Sequence, residues 1–166
     1  YGADVLAGAG WFQKRKEGHA YFFPGQFSNR AGAYFDKYGR DYARKGFARW
    51  YRNAIENARL CPTAQEFENK TEDLEKLALT EPNPSAFTDF LNVFDCSKVS
   101  DGASSIVVAS EEGLKKAGIP LSEAVEITGW GQAEEDITKE PDDLTRLSTM
   151  AESVKQALQS AGITIN

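Results

Sequence analysis

One histidine, His19, and two cysteines, Cys61 and Cys96, are the residues with which this chain could do nucleophilic chemistry near neutral pH. A Cys–His or Ser–His pair would have to use His19, because such pairs need an imidazole within hydrogen-bond reach of the nucleophile. His19 sits in a Gly-rich, aromatic stretch and reads as a loop histidine without catalytic duty. Cys96 lies between Asp95 and Ser97 and reads as a buried, inert thiol, since reactive thiols need an accessible, electropositive setting. Cys61 follows a helical pattern and precedes Pro62, as a packing or surface residue would. Two cysteines allow one bridge but no disulfide framework, and with a single histidine they do not make a structural zinc site. Gly8-Ala9-Gly10 lacks the third glycine of a dinucleotide fingerprint, and there is no phosphate-loop sequence.

The second kind of chemistry is anion binding. Arg40, Arg44, Lys45, Arg49 and Arg52 make residues 40–52 the most basic stretch of the chain. Arginine grips phosphate bidentately, and neighbouring aromatic rings could stack a base. The same residues could equally be solvated charges on an exposed helix face. Helical phase lets only some of the four arginines meet one ligand.

The elements that would position these residues can be read from the pattern. Residues 3–10 are a short apolar run closed by glycines, as in a buried strand. Residues 11–39 hold Lys14, Arg15 and Lys16, then Tyr21, Phe22, Phe23 and Phe27 broken by Pro24 and Gly25, and read as a long structured loop. Residues 41–59 predict a helix with Asp41 as N-cap and Pro62 beyond its end. Residues 63–79 predict a shorter amphipathic helical region, 81–84 a break, and 86–95 an extended segment. Ile106-Val107-Val108-Ala109 predicts a buried strand, and Val125–Gly129 another. Residues 111–117 predict a helix closed by Gly118. A further helix, opening at Thr145 or Ser148, runs to Ala161 and is closed by Gly162. Alternating strands and helices in this half predict an α/β fold.

Whole-chain numbers narrow the classes. The 166 residues suit one domain or one domain with a large insertion, and 41% apolar with 27% charged residues is globular composition. The 25 acids and 19 bases give a net charge of −6, which disfavours general nucleic-acid binding. Apolar runs are too short for a transmembrane helix. The chain starts at Tyr1 in a strand-like segment and ends at Asn166 just after a helical pattern, so it is expected to be a piece of a longer protein.

One resemblance joins these segments. Asp95-Cys96-Ser97-Lys98-Val99-Ser100-Asp101-Gly102-Ala103, followed by Ile106-Val107-Val108-Ala109-Ser110-Glu111-Glu112, resembles the "C-x-x-x-S-D-G-A" strand entry of thiolases. Asp4-Val5-Leu6-Ala7-Gly8 is similar to the thiolase strand soon after the nucleophile helix. Lys37-Tyr38-Gly39, Arg52-Asn53-Ala54 and Pro62-Thr63-Ala64-Gln65 resemble the loop domain of the sterol-carrier-protein (SCPx)-like branch. Gly129-Trp130-Gly131-Gln132-Ala133, Asp143-Leu144-Thr145-Arg146-Leu147 and Ala161-Gly162-Ile163 resemble the same branch further on. The series is in order and spans nearly the whole chain, although each motif alone is weak.

The resemblance implies an acyltransferase of lipid metabolism that makes or cleaves 3-ketoacyl-CoA, built on a layered α/β fold of βαβαβαββ halves with an inserted, mainly helical loop domain. It implies a core strand over residues 1–10, the CoA-binding loop domain over 11–94, and a return to the core with the start of the C-terminal half over 95–166. Coenzyme A or acyl-CoA is then the substrate, with no permanently bound cofactor. The partners are the remainder of the subunit and further copies in a homodimer or tetramer, without nucleic acid or a membrane span. The location is intracellular, mitochondrial or peroxisomal in a eukaryote. Ser97 matches the serine that contacts pantetheine, with Lys98 and Val99 flanking it, and the phosphates fall to Arg40, Arg44, Arg49 or Arg52. No catalytic residue of the family maps onto this sequence, and His19, Cys61 and Cys96 match none. Lys98 departs from the small residue or Pro often found there. The alternatives are a non-catalytic thiolase-like CoA- or lipid-binding protein and a related condensing enzyme such as a hydroxymethylglutaryl-CoA synthase.

Overall fold

The computed structural model describes Gln13, Arg15 and residues 21–165. His19 and the strand expected over 3–10 lie outside the described residues. The regular structure is helical: α1 (Phe22–Tyr38), α2 (Arg40–Ala58), α3 (Leu74–Ala78), α4 (Glu111–Ala117) and α5 (Ser148–Ala161), with 3-10 turns at Val93–Asp95 and Leu121–Glu123. The described residues contain no strand. The layered α/β fold expected from the sequence is therefore corrected to an all-helical arrangement.

The reason lies in the two β-branched runs. Ile106, Val107 and Val108 are 86%, 92% and 75% exposed, and Val125 and Ile127 are exposed too. Residues 101–109 make no backbone hydrogen bond to another described residue. A run of this kind becomes a strand only when a neighbour pairs its amides and covers its faces. Neither condition is met within this chain's described residues.

The chain divides into two units. The first comprises the described residues up to Lys98 together with Asp136–Arg146. Its core is made where α1 meets α2: Ala31, Phe35, Ala43 and Leu91 are buried, and Tyr34, Phe47, Phe90 and Cys96 pack against them. The small residues of this set let the two helices approach, and Phe35 fills the space between the Phe47 and Phe90 rings. α1 replaces the loop expected over 11–39 for residues 22–38. Pro24 stands in its first turn, where the missing N–H would have no helical partner, so the ring costs the helix nothing. Gly39 ends α1 at φ 91°, and its N–H bonds to the Phe35 carbonyl at 2.8 Å.

α2 follows at once, one residue earlier than predicted at each end, with Asp41 in its first turn rather than capping it. Residues 63–79 are mostly turns. Only α3 is helical, started by the Asp73 carboxylate accepting from the Lys76 N–H at 2.9 Å. The extended segment expected over 86–95 is instead folded onto the core by one local bond and one to α1. Thr88 Oγ1 donates to the Leu91 carbonyl at 2.9 Å, and Ser28 Oγ accepts from the Phe90 N–H at 3.0 Å.

The second unit comprises residues 99–135 and 147–166. None of its described residues is buried. α4 matches its predicted bounds, with the Ser110 hydroxyl accepting from the Gly113 N–H and Gly118 in the left-handed region. α5 opens at Ser148 and ends at Gly162, also left-handed. The segment around Gly129 and Gly131 lies directly against α5. A side-chain carbon at Gly129 would come within 2.3 Å of the Ala157 carbonyl, and one at Gly131 within 2.0 Å of the Ser153 carbonyl. Two glycines at alternate positions thus meet Ser153, Ala157 and Ala161, which recur one helical turn apart.

Candidate functional site

α2 carries all four arginines named from the sequence, and their surroundings separate them. Arg44 is buried, and its guanidinium reaches the Asp95 carboxylate at 2.8 Å and the Ala78 carbonyl. Asp95 also accepts the Asn92 N–H at 2.8 Å, so the 3-10 turn, the end of α3 and α2 are tied at one point. Arg40 pairs with Glu81, and Arg52 pairs with Glu75 of α3 and approaches Glu56 at 3.9 Å. These three are fastenings of residues 74–95 onto α2, and their charge is neutralised.

Arg49 is different. It is exposed and makes no ion pair with another described residue. Lys45, one turn earlier, is in the same condition. Cβ atoms at this spacing are about 6 Å apart, and like charges there repel by a few tenths of a kcal/mol. The phase of the helix explains the division. Arg44, Ala48 and Ile55 fall on the buried stripe, whereas Tyr42, Lys45, Arg49 and Asn53 fall on the outer one. Tyr42 and Trp50 flank the two cations at 73% and 78% exposure. The outer face of α2 therefore carries two cations with no ion pair among the described residues, with the exposed Tyr42 on the same stripe. Lys45, Tyr42 and Trp50 were missed as site residues. The signal that could have found Tyr42 and Lys45 is their spacing of seven and four residues from Arg49; Trp50, next to Arg49 in sequence, lies on another side of the helix and no spacing marks it.

The pantetheine segment named from the sequence is exposed. Ser97 is exposed, Lys98 bonds to the Glu66 carboxylate at 2.6 Å, and Val99 is 95% exposed. The boundary between the two units falls between Lys98 and Val99. Lys98 acts on Glu66, whose carboxyl it holds below the usual range together with Asn69.

The thiols are set apart by environment. Cys61 is exposed, and its hydrogen bond with the Thr63 hydroxyl at 3.3 Å lowers its pKa, aided by the Thr63 and Ala64 backbone. Cys96 packs against the α1–α2 core, and burial, then the Asp95 charge, pushes its thiol up. Among the described residues no group of three or more His, Cys, Asp or Glu side chains could hold a metal ion. Among the same residues no helix is long and apolar enough to cross a membrane.

No family model, curated protein or solved structure matches this chain.

Proposed function

We propose that this chain is the coenzyme A-binding portion of a thiolase-type acyltransferase, with Arg49 and Lys45 meeting the nucleotide phosphates. The motif series from Asp95-Cys96-Ser97 through Asp143-Leu144-Thr145 supports the family, and the chemistry of α2 supports the ligand. The single observation that carries it is the Lys45–Arg49 pair, which has no ion pair among the described residues while Arg40, Arg44 and Arg52 are each paired. A phosphate there would relieve the repulsion between the two cations and accept charge-assisted hydrogen bonds. Trp50 offers a flat face of the kind on which a purine stacks. Acyl transfer belongs to the whole protein, and no residue of this chain is given a catalytic role.

Calorimetric titration with CoA, dephospho-CoA and pantetheine, at low and high salt, tests the reading. CoA should bind more tightly than pantetheine, and added salt should erase the difference because exposed charges are screened. Arg49→Ala should weaken CoA binding about three- to fivefold, as expected for exposed ion contacts. Arg40→Ala should leave it unchanged. Equal affinity for CoA and pantetheine in the wild type would mean that the α2 face is only solvated.

A further inference from the structure

The basic triplet Lys14-Arg15-Lys16 and the aromatic cluster Tyr21, Phe22, Phe23 and Phe27 have no place in the coenzyme A reading. Residues 13–30 hold four bases, Lys14, Arg15, Lys16 and Arg30, against the single acid Glu17, a local charge of +3 in a chain of −6. Arg15 and α1 belong to the first unit, and Arg15 is exposed and makes no ion pair with another described residue. Phe23 and Phe27 stand one turn apart near the start of α1 and are 37% and 61% exposed, so both rings leave the helix on one side. Tyr21, just before the helix, is 43% exposed. Arg30 and Lys37 continue this stripe and fasten residues 143–146, where Asp143 is paired with Lys37 at 3.5 Å. The open apolar part of the stripe is thus the first two turns of α1, which follow the basic triplet in sequence.

We infer that this face docks on the surface of a bilayer bearing anionic lipid. Phe23 and Phe27 enter the boundary between headgroups and acyl chains, and the basic triplet supplies the attraction to the lipid phosphates. The occupant follows from the two chemistries together. An exposed phenylalanine offers apolar area and no hydrogen bond, which suits a hydrocarbon layer, and the cations preceding it suit anionic headgroups. A lipid surface supplies both at once. The residues outside 13–30 carry −9, so the charge asymmetry turns this segment toward an anionic surface and the remainder away from it. A second copy offering the same face would set +3 against +3. Among the described residues no helix is long and apolar enough to cross a membrane, and the docking proposed is of α1 lying on the surface. The inference does not depend on the coenzyme A reading.

Co-sedimentation of the chain with phosphatidylcholine vesicles, alone and mixed with phosphatidylserine, tests it. The chain should bind the mixed vesicles more tightly, and added salt should reduce the difference. Arg15→Glu turns one attraction into a repulsion and should weaken binding on the order of tenfold. Phe23→Ser/Phe27→Ser removes the inserted area and should also weaken it on the order of tenfold. Both rings are exposed, so the helical circular dichroism of that variant should match the wild type. Trp50→Ser, at an aromatic 78% exposed on α2, should bind vesicles like the wild type. A chain that ignores the mixed vesicles, that binds a single-stranded oligonucleotide in their place, or that binds them equally well without Phe23 and Phe27 would overturn the inference.

Discussion

Arg44 and Arg49 stand five residues apart on one helix and do opposite things. Arg44 neutralises a carboxylate that is itself buried, and it also satisfies the Ala78 carbonyl. Removing it leaves Asp95 charged without a cation in a site water barely reaches, and loss of one partner of such a pair costs about 3–5 kcal/mol. Arg44→Ala should therefore shift the urea midpoint strongly downward, and Arg44→Ala/Asp95→Asn should recover part of the loss. Arg49→Ala should stay within about 0.5 kcal/mol of the wild type, as surface changes do. Equal losses for Arg44→Ala and Arg49→Ala would show that Arg44 is not the fastening described. The sequence shows a basic helix but not this division. The deciding carboxylates, Glu75, Glu81 and Asp95, come from 23 to 51 residues further along the chain, and no local spacing announces them.

At the scale of elements, what was legible had local causes. The bounds of α4 follow from Ser110 and Gly118, and the end of α5 from Gly162. α1 was not legible, because Pro24 and Gly25 argue for a break unless they fall in a helix's first turn, and only packing of Ala31 and Phe35 on α2 fixes that register. Ile106-Val107-Val108 erred the other way, since β propensity gives the side chains but not the neighbouring strand. On the candidate site the sequence supplied Arg49 and the basic stretch, while the pairing of the other arginines needed tertiary contacts. Glycines give this scale a prediction with two signs. Gly46 lies inside α2 with open space where a side chain would go, so Gly46→Ala should stabilise by about 0.5–1 kcal/mol through lost freedom in the unfolded chain. Gly131 lies against the Ser153 carbonyl, so Gly131→Ala must push the segment off α5. Amide exchange should then quicken at Gln132, whose N–H bonds to the Gln156 side chain at 3.2 Å. Unchanged exchange there would mean that the contact is not held in solution.

Among the described residues, the buried ones lie in one unit alone. The core of Ala31, Phe35, Ala43 and Leu91 lies in residues 21–98, and the segment 136–146 is fastened to the same unit by two long cations of α1. Arg30 donates to the Leu144 and Arg146 carbonyls at 2.9 and 2.8 Å, and Lys37 donates to Thr145 Oγ1 at 2.9 Å. The Asp143 carboxylate closes this turn by accepting from Thr145 Oγ1 and the Thr145 N–H, which holds its pKa below the usual range, with Lys37 adding to the effect. Residues 99–135 and 147–165 have no buried side chain to expose on unfolding. The slope of unfolding free energy against denaturant grows with the surface newly exposed. That slope should match a domain of the 109 residues of the first unit rather than one of 166. α5 would then lose helical signal before the α1–α2 core, so far-ultraviolet circular dichroism and near-ultraviolet circular dichroism of the Phe35, Phe47 and Phe90 cluster should give different midpoints. A single coincident transition with the slope of a 166-residue domain would show that residues 99–165 share a core in solution.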